Sequence, residues 1–424
     1  MIQPYTWQIP AVEKQVAALT AGPIVVNGSD TGTGKTICAL ATMQRMKRRF
    51  LVIAPKTVHT AWRHTVEAMN LTPNLFGIVN PERLLFKNDY YRGGRWCLPG
   101  DITIIWDEVH RGASGYKTKT TRALAVTKAF STPILAMSAT IADSPLKLRG
   151  LGFLLGLHEF NPSSFFDWCR RNGCHKSFHH DGLEFTKGPR GEKFMERIHK
   201  SIADKFVRLR IADIDDFPES QVLAELFDLE TRFTKEINKI YAEMDDKVKN
   251  GSSNPEVAML RARQKAELIK VPLLVELAEA AIDEGKSPVV FVNFRDTLAA
   301  FAQGMGDLGF ECGTIFGGQD PVQQQRFRDR FQTNDLHCMG AMSQAGSVGI
   351  DLHDVHHARP RVSYITPSYN AVDMIQCLGR IHRTGGTKVV QTFVLIAGTI
   401  EERVHRAITR KLGNIKALNE GDLT

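Results

Sequence analysis

Two short stretches of this sequence carry side chains that could do chemistry together. The first is SDTGTGKT, residues 29–36. It follows an apolar run and opens an amphipathic one, the setting of a phosphate-binding loop. Gly32 and Gly34 can turn backbone N–H groups toward phosphate oxygens, and Thr31 and Thr33 flank Gly32 in the same loop. The start of the following helix adds partial positive charge. Lys35 is placed to reach β- and γ-phosphates and Thr36 to ligand Mg2+. Ser29 stands where the first glycine of G-x-x-x-x-G-K-[ST] belongs. The second stretch is DEVH, residues 107–110, which ends the apolar run ITIIW. Two carboxylates and an imidazole could hold a metal, run acid–base chemistry on a small substrate, or form half of a nucleotide site. Their place about 70 residues beyond the loop favours the nucleotide site. Asp107 would hold Mg2+, and Glu108 would orient and deprotonate the attacking water. Zinc is disfavoured: the helical H-E-x-x-H spacing is absent, and neighbours on a strand point to opposite faces.

These groups need a scaffold that brings strand ends together. The runs PIVVNG (23–28), RFLVIAP (49–55), LFGIVN (75–80), ITIIWDE (102–108) and TPILAMS (132–138) alternate with amphipathic segments. Such alternation predicts an α/β fold, a parallel sheet covered by helices on both faces. A Phe-, His- and charge-rich helical insertion is expected at about 144–210. The alternation restarts with QVLAELF (221–227), PVVFVNF (288–294), CGTIFG (312–317), LHCMGAM (336–342), RVSYIT (361–366) and VVQTFVLIA (389–397). A second helical insertion is expected at about 230–283, broken at NGSSNP (250–255). Two lobes follow, 1–215 and 216–424, joined near IADIDDFP (211–218).

CRRNGCHKSFHH (169–180) could gather Cys169, Cys174, His175 and His179 around a metal. The spacings match no common finger, so an insertion with surface histidines is the preferred reading. The chain has 424 residues, 43% hydrophobic, with a formal charge of +8. Its pI is about 9.1, which suits a polyanion partner. Seven scattered cysteines fit a reducing compartment. No apolar run nears the roughly 18 residues that span a bilayer, and MIQPYTWQIP lacks the blocks of a signal peptide.

Taken in order, the motifs resemble those of superfamily 2 nucleic-acid motors, and within them the Swi/Snf-type ATPases of DEAH/DExH character. PYTWQ (4–8) is similar to the adenine-recognition element, with Gln8 as reader, and APKTVHTAW (54–62) to the next motif. DEVHR is followed by GASGYKTKTTRAL, and SAT (138–140) lies where hydrolysis is coupled to nucleic acid. VVFVNFRDT (289–297), SQAGSVGIDL (343–352) and QCLGRIHRTG (376–385) resemble motifs IV, V and VI, and TIEERV (399–404) the closing helix. The resemblance spans residues 4–410 and implies two tandem RecA-like lobes. It also implies ATP and Mg2+ as ligands, with Gly349 and Asp351 at the nucleotide. There are departures: Ser138-Ala139-Thr140-Ile141 replaces T-G-T-P, the segment after His110 is about one residue longer than usual, and Gly386 replaces a glutamine.

The first lobe has no evident cation for charge developing on the γ-phosphoryl group. Arg380 and Arg383, three residues apart and expected on one helix face, can supply it. His110 and Gln376 are expected near the γ-phosphate, coupling nucleotide state to closure; His110 shares the side of Glu108 if the strand continues. Nucleic-acid contacts are expected at Lys56, Thr57, Lys117, Lys119, Ser343 and Ser347, mostly to phosphates. The expectation is a monomeric, DNA-dependent ATPase translocating on duplex DNA in a bacterial or phage-infected cytoplasm, or in a nucleus if eukaryotic. Single-stranded DNA or RNA is the alternative partner, and strand separation the alternative activity. A non-hydrolysing clamp is disfavoured because Lys35, Asp107, Glu108 and both arginines are present.

Overall fold

The computed structural model describes residues 2–85, 89–109, 119–138, 144–177, 182–186, 188–215, 217–252, 254–344, 351–368, 371–403 and 406. The chain forms two compact units, one running to Asp215 and the other Asp216–Thr409. No helix among the described residues is long and apolar enough to cross a membrane.

In the first unit the short apolar runs become β1 (Ile24–Asn27), β2 (Arg49–Ile53) and β3 (Leu75–Val79). A small hairpin, β4 (Tyr91–Arg92) with β5 (Arg95–Trp96), precedes β6 (Ile102–Trp106) and β7 (Ile134–Met137). A second hairpin joins β8 (Cys174–Lys176) and β9 (Leu183–Phe185) ahead of β10 (Phe206–Val207). The sheet order is β10-β1-β7-β6-β2-β3, and every pairing is parallel. Strands buried on both faces read as continuous apolar runs, and all five residues of β6 are buried. The helices are α1 (Ile9–Ala21), α2 (Lys35–Met46), α3 (His59–Ala68), α4 (Lys119–Ala129), α5 (Arg149–Leu155), α6 (Pro162–Arg171) and α7 (Pro189–Ser201). Val26, Leu51 and Ile104 share one core cluster with Leu124 of α4, Leu151 of α5, Phe165 of α6 and Met195 of α7. Val25, Phe50, Val52 and Ile105, which alternate with them, are equally buried.

The stretch expected as a helical insertion is corrected in two places. It contains the β8–β9 hairpin, and it closes on β10, whose Phe206 and Val207 pair with Val26 and Asn27. Two residues are too few to leave a periodic signal.

The second unit begins with β11 (Ser220–Phe227), followed by α8 (Thr231–Lys249), α9 (Pro255–Ile269) and α10 (Val271–Asp283). Then come β12 (Ser287–Val292), α11 (Arg295–Asp307), β13 (Cys312–Ile315), α12 (Pro321–Gln332) and β14 (Cys338–Met342). β15 (Arg361–Ile365), α13 (Ala371–Ile381) and β16 (Val389–Ile396) complete it. The order is β11-β16-β15-β12-β14-β13, again all parallel. Asn254 caps α9 through its Oδ1, which accepts from Glu256 N at 2.9 Å, so the chain reverses where NGSSNP was read as a break. α8 and α9 pack through Ile237, Tyr241, Ala262 and Ala266. The expected insertion ends earlier than residue 283, because α10 covers the sheet: Leu274 and Ala278 share a cluster with Val290 and Val292.

The end of α9 is fastened to the strand ends by buried charge. Glu267 accepts from Asn293 N at 2.9 Å, Phe294 N at 3.2 Å and Thr366 Oγ1 at 2.8 Å. Lys270 Nζ lies 2.7 Å from Glu401 Oε1, with both side chains almost fully buried. At the sheet's edge, β11 leaves Val222 and Leu226 exposed, 48% and 57%.

Candidate nucleotide site

β1 ends in a loop held by its own side chains. Asn27 Oδ1 accepts from Ser29 N at 3.0 Å, and Thr33 Oγ1 donates to Asp30 O at 2.8 Å. Gly32 and Gly34 both have positive φ, 88° and 76°. A Cβ on Gly34 would lie 2.3 Å from Gln8 Nε2, so glycine is required there for space as well as conformation. Gln8 is fully buried. Its Nε2 donates to Thr33 O at 2.9 Å, and its Oε1 accepts from Tyr5 N at 2.9 Å. The adenine-reader position is therefore tied directly to the loop. Lys35 opens α2, with Thr36 next to it in the first turn. Lys35 Nζ donates to Ser29 O at 2.9 Å and Asp30 O at 3.0 Å. Thr31 lies in the turn between Asp30 and Gly32.

Asp107 follows β6 directly. Trp62 Nε1 of α3 donates to its Oδ2 at 3.1 Å, and Glu108 N donates to its Oδ1 at 3.0 Å. Burial pushes the Asp107 carboxyl up to about 6, and the Glu108 charge adds to this; Trp62 and Lys35 pull the other way. The fold therefore brings Lys35 and Asp107 into electrostatic contact from strands separated in sequence. The strand does not continue to Glu108, however. β6 ends at Trp106, and Glu108 has a left-handed φ of 49°. The two-residue alternation that was to place His110 beside Glu108 stops there, and His110 lies outside the described residues.

In the second unit Gln376 and Arg380 are both buried on α13, one turn apart. Arg383 is not on that helix, which ends at Ile381; the expectation of one shared helical face is corrected. Its guanidinium instead pairs with Asp351 Oδ1 at 2.9 Å. Arg383 and Arg380 hold the carboxyl of the half-exposed Asp351 below the usual carboxylate range. Leu352 N donates to Arg380 O at 3.0 Å, so Asp351 stays beside both arginines.

Among the expected nucleic-acid residues, Lys56 is exposed in the turn after β2, with Thr57 next in that turn. Ser343 is corrected: it is buried and its Oγ donates to Val292 O at 3.2 Å, which gives its hydroxyl to the sheet. Lys119 opens α4. Lys117, Ser347, Gly349, Ala139 and Thr140 lie outside the described residues, as does His179. Cys169 and Cys174 are buried against each other, and that thiol contact, with burial, raises Cys169. His175 Nε2 faces Glu184 Oε1 at 3.1 Å on the exposed side.

Two further residues at the loop escaped the sequence reading. Trp62 was visible only as a motif spacing, and nothing local names its partner 45 positions away. Arg208 Nη2 pairs with Asp30 Oδ1 at 2.6 Å, and its Nη1 donates to Gly28 O at 2.8 Å across 180 positions. The departure at Ser29 is also explained. Its Oγ accepts from Leu209 N at 2.9 Å, a bond glycine could not make.

Residues 269–385 match the family described as Helicase conserved C-terminal domain. A putative ATP-dependent RNA helicase of Acanthamoeba polyphaga mimivirus is 28% identical over 439 residues, covering 94% of this chain and 80% of the relative. The structure of S. cerevisiae Dbp5 bound to RNA and ADP BeF3 is similar at 14% identity and TM-score 0.55, covering 97% of this chain and 88% of that one. The Sulfolobus solfataricus SWI2/SNF2 ATPase core in complex with dsDNA aligns at 16% identity and TM-score 0.42, covering 100% and 97%. The two parallel-sheet units and the likeness to the Dbp5 structure define a fold of two tandem RecA-like lobes. Residues 269–385 thus carry a helicase C-terminal domain, and over most of its length the chain is similar to helicase-like ATPases.

Proposed function

We propose that this ATPase is a nucleic-acid-stimulated motor that translocates along duplex DNA and remodels or anneals DNA or protein–DNA complexes. The observation that supports it most is the pairing of the Lys35 loop with the Asp107–Glu108 turn in one unit. Lys35 and the start of α2 hold phosphate oxygens, and Glu108 orients and deprotonates water. Thr36 and Asp107 would supply oxygen donors suited to a hard divalent cation, and the carboxyl of Asp107, raised mainly by burial and then by Glu108, is consistent with a cation bound there. Bound there, Mg2+ would neutralise charge on the β- and γ-phosphates. By the motif resemblance, Arg380 and Arg383 would supply positive charge to the transferred group. Gln376, one turn from Arg380, couples nucleotide state to closure, and Gln8 reads the base.

A polyanion that contacts both units is moved because ATP favours one arrangement of them over another. Exposed Lys56 is available for sequence-blind phosphate contacts, and Lys119 is expected from the sequence to add one. The ordered Swi/Snf-like motifs favour duplex DNA. The name of the mimivirus relative favours a second reading, a strand-separating RNA helicase.

The test is ATP turnover with duplex DNA, single-stranded DNA, forked DNA and RNA, alongside strand displacement. Turnover unmoved by any nucleic acid sinks the motor. RNA-specific stimulation with displacement of an ordinary duplex selects the second reading.

A further inference from the structure

The phosphate loop has a second set of attachments, and they run to the closing stretch of the first unit. Gly28 N donates to Val207 O at 2.9 Å and Asp30 N to Leu209 O at 3.0 Å. Leu209 N returns a bond to Ser29 Oγ at 2.9 Å, and Ile211 N donates to Asp30 Oδ2 at 2.9 Å. Arg208 closes the set on Asp30 Oδ1 and Gly28 O, with its side chain 11% exposed. The segment bound in this way, 207–211, is the last stretch before the boundary between the units at Asp215.

Ser29 and Asp30 therefore face two ways. Their side chains hold Leu209, Arg208 and Ile211, and their carbonyls accept from Lys35 Nζ. A phosphate oxygen bound by Lys35 competes with those two carbonyls for the same ammonium. Displacing them shifts the peptide units whose side chains grip segment 207–211. A half-buried ion pair with ideal geometry transmits such a shift more faithfully than solvent-exposed contacts would.

We propose that Arg208 and Asp30 form a positioning clamp that carries the phosphate state of the loop into the segment leading to the second unit. The proposal rests on the ATPase reading. Arg208 acts through Asp30 and not on the substrate.

Hydrogen exchange of the full chain tests it, followed over residues 205–218 with Mg2+ alone and with Mg2+ plus the β,γ-imido analogue of ATP. The native protein should change its exchange at Leu209 and Ile211 by about threefold or more, and Arg208→Gln and Asp30→Asn should lose that response. In steady-state assays both variants should lose about tenfold in kcat with KM for ATP within about threefold. Arg208→Lys should recover part of the loss, and the double variant should be no worse than either single one.

The clamp is overturned if exchange in the native chain ignores the nucleotide, if the variants keep the response, or if the two single losses add. Should a variant fail to fold by its melting curve, Ser29→Ala removes only the acceptor for Leu209 N; a retained response at Leu209 then overturns the proposal. A native chain whose segment responds to nucleotide but whose turnover ignores nucleic acid sinks the motor and leaves the clamp standing. The reverse pattern does the opposite.

Discussion

Asp107 is held where its charge is poorly solvated, a cost to folding that the proposed role as a cation ligand would account for. Its acid has been raised from about 3.8 to about 6 by burial and by Glu108. For a raised acid the native state binds the proton more tightly than the unfolded state. The stability this gives is present below the unfolded value and is lost as pH rises through 6. Asp107→Asn should therefore stabilise the protein at pH 7 by about 2–3 kcal/mol while abolishing turnover, and the gain should shrink as pH falls toward 4. Urea titrations at several pH values measure it; a variant less stable at pH 7 contradicts it. Glu108→Gln should lower kcat by about 10²–10⁴ with ATP binding retained, read by single-turnover kinetics and a binding titration. Normal turnover would remove Glu108 from the role of base. Lys35, Asp107 and Glu108 could be proposed from the sequence because each belongs to a short local motif, and the structure places Lys35 and Asp107 near each other. Trp62 and Arg208 were not, since each gains its meaning from a partner on another strand or loop.

At the level of elements, the central strands were legible because burial on both faces writes itself as an apolar run. Element ends were less so. β6 stops at Trp106 and α13 at Ile381, and each end changed the inferred direction of a side chain, His110 in one case and Arg383 in the other. α10 looked like part of an insertion because a helix on a sheet and a helix on a helix share one periodicity. The Lys270–Glu401 pair was invisible for the same reason as Arg208: its members are 131 positions apart. Lys270→Met leaves a buried carboxylate and should destabilise the second unit by about 3–5 kcal/mol, whereas Lys270→Met with Glu401→Leu should recover most of that. Chemical denaturation of both variants decides it, and an undiminished loss in the double variant refutes it.

For the whole molecule, the distribution of one residue type gives a direct test of how the two units unfold. The sequence has five tryptophans, Trp7, Trp62, Trp96, Trp106 and Trp168, and all precede Asp215. Indole fluorescence therefore reports the first unit, whereas far-UV circular dichroism reports both. Each unit has its own sheet and core, so the two urea transitions should not coincide, and Mg2+ with ATP should shift the fluorescence midpoint. Superimposed curves under every condition would mean that the units unfold as one.

The outer strand β11 has a practical consequence. Eight residues long, it hydrogen-bonds to β16 on one side and is the last strand of its sheet, with Val222 and Leu226 exposed. A long apolar edge of this kind is a template for pairing with another chain. Glu225, also exposed but on the opposite face of the strand, puts one charge on that edge and acts as a gatekeeper against pairing. Storage, concentration and crystallisation of this enzyme will depend on that edge, so buffer choice and any fusion partner near residue 220 should be judged by whether they keep it covered.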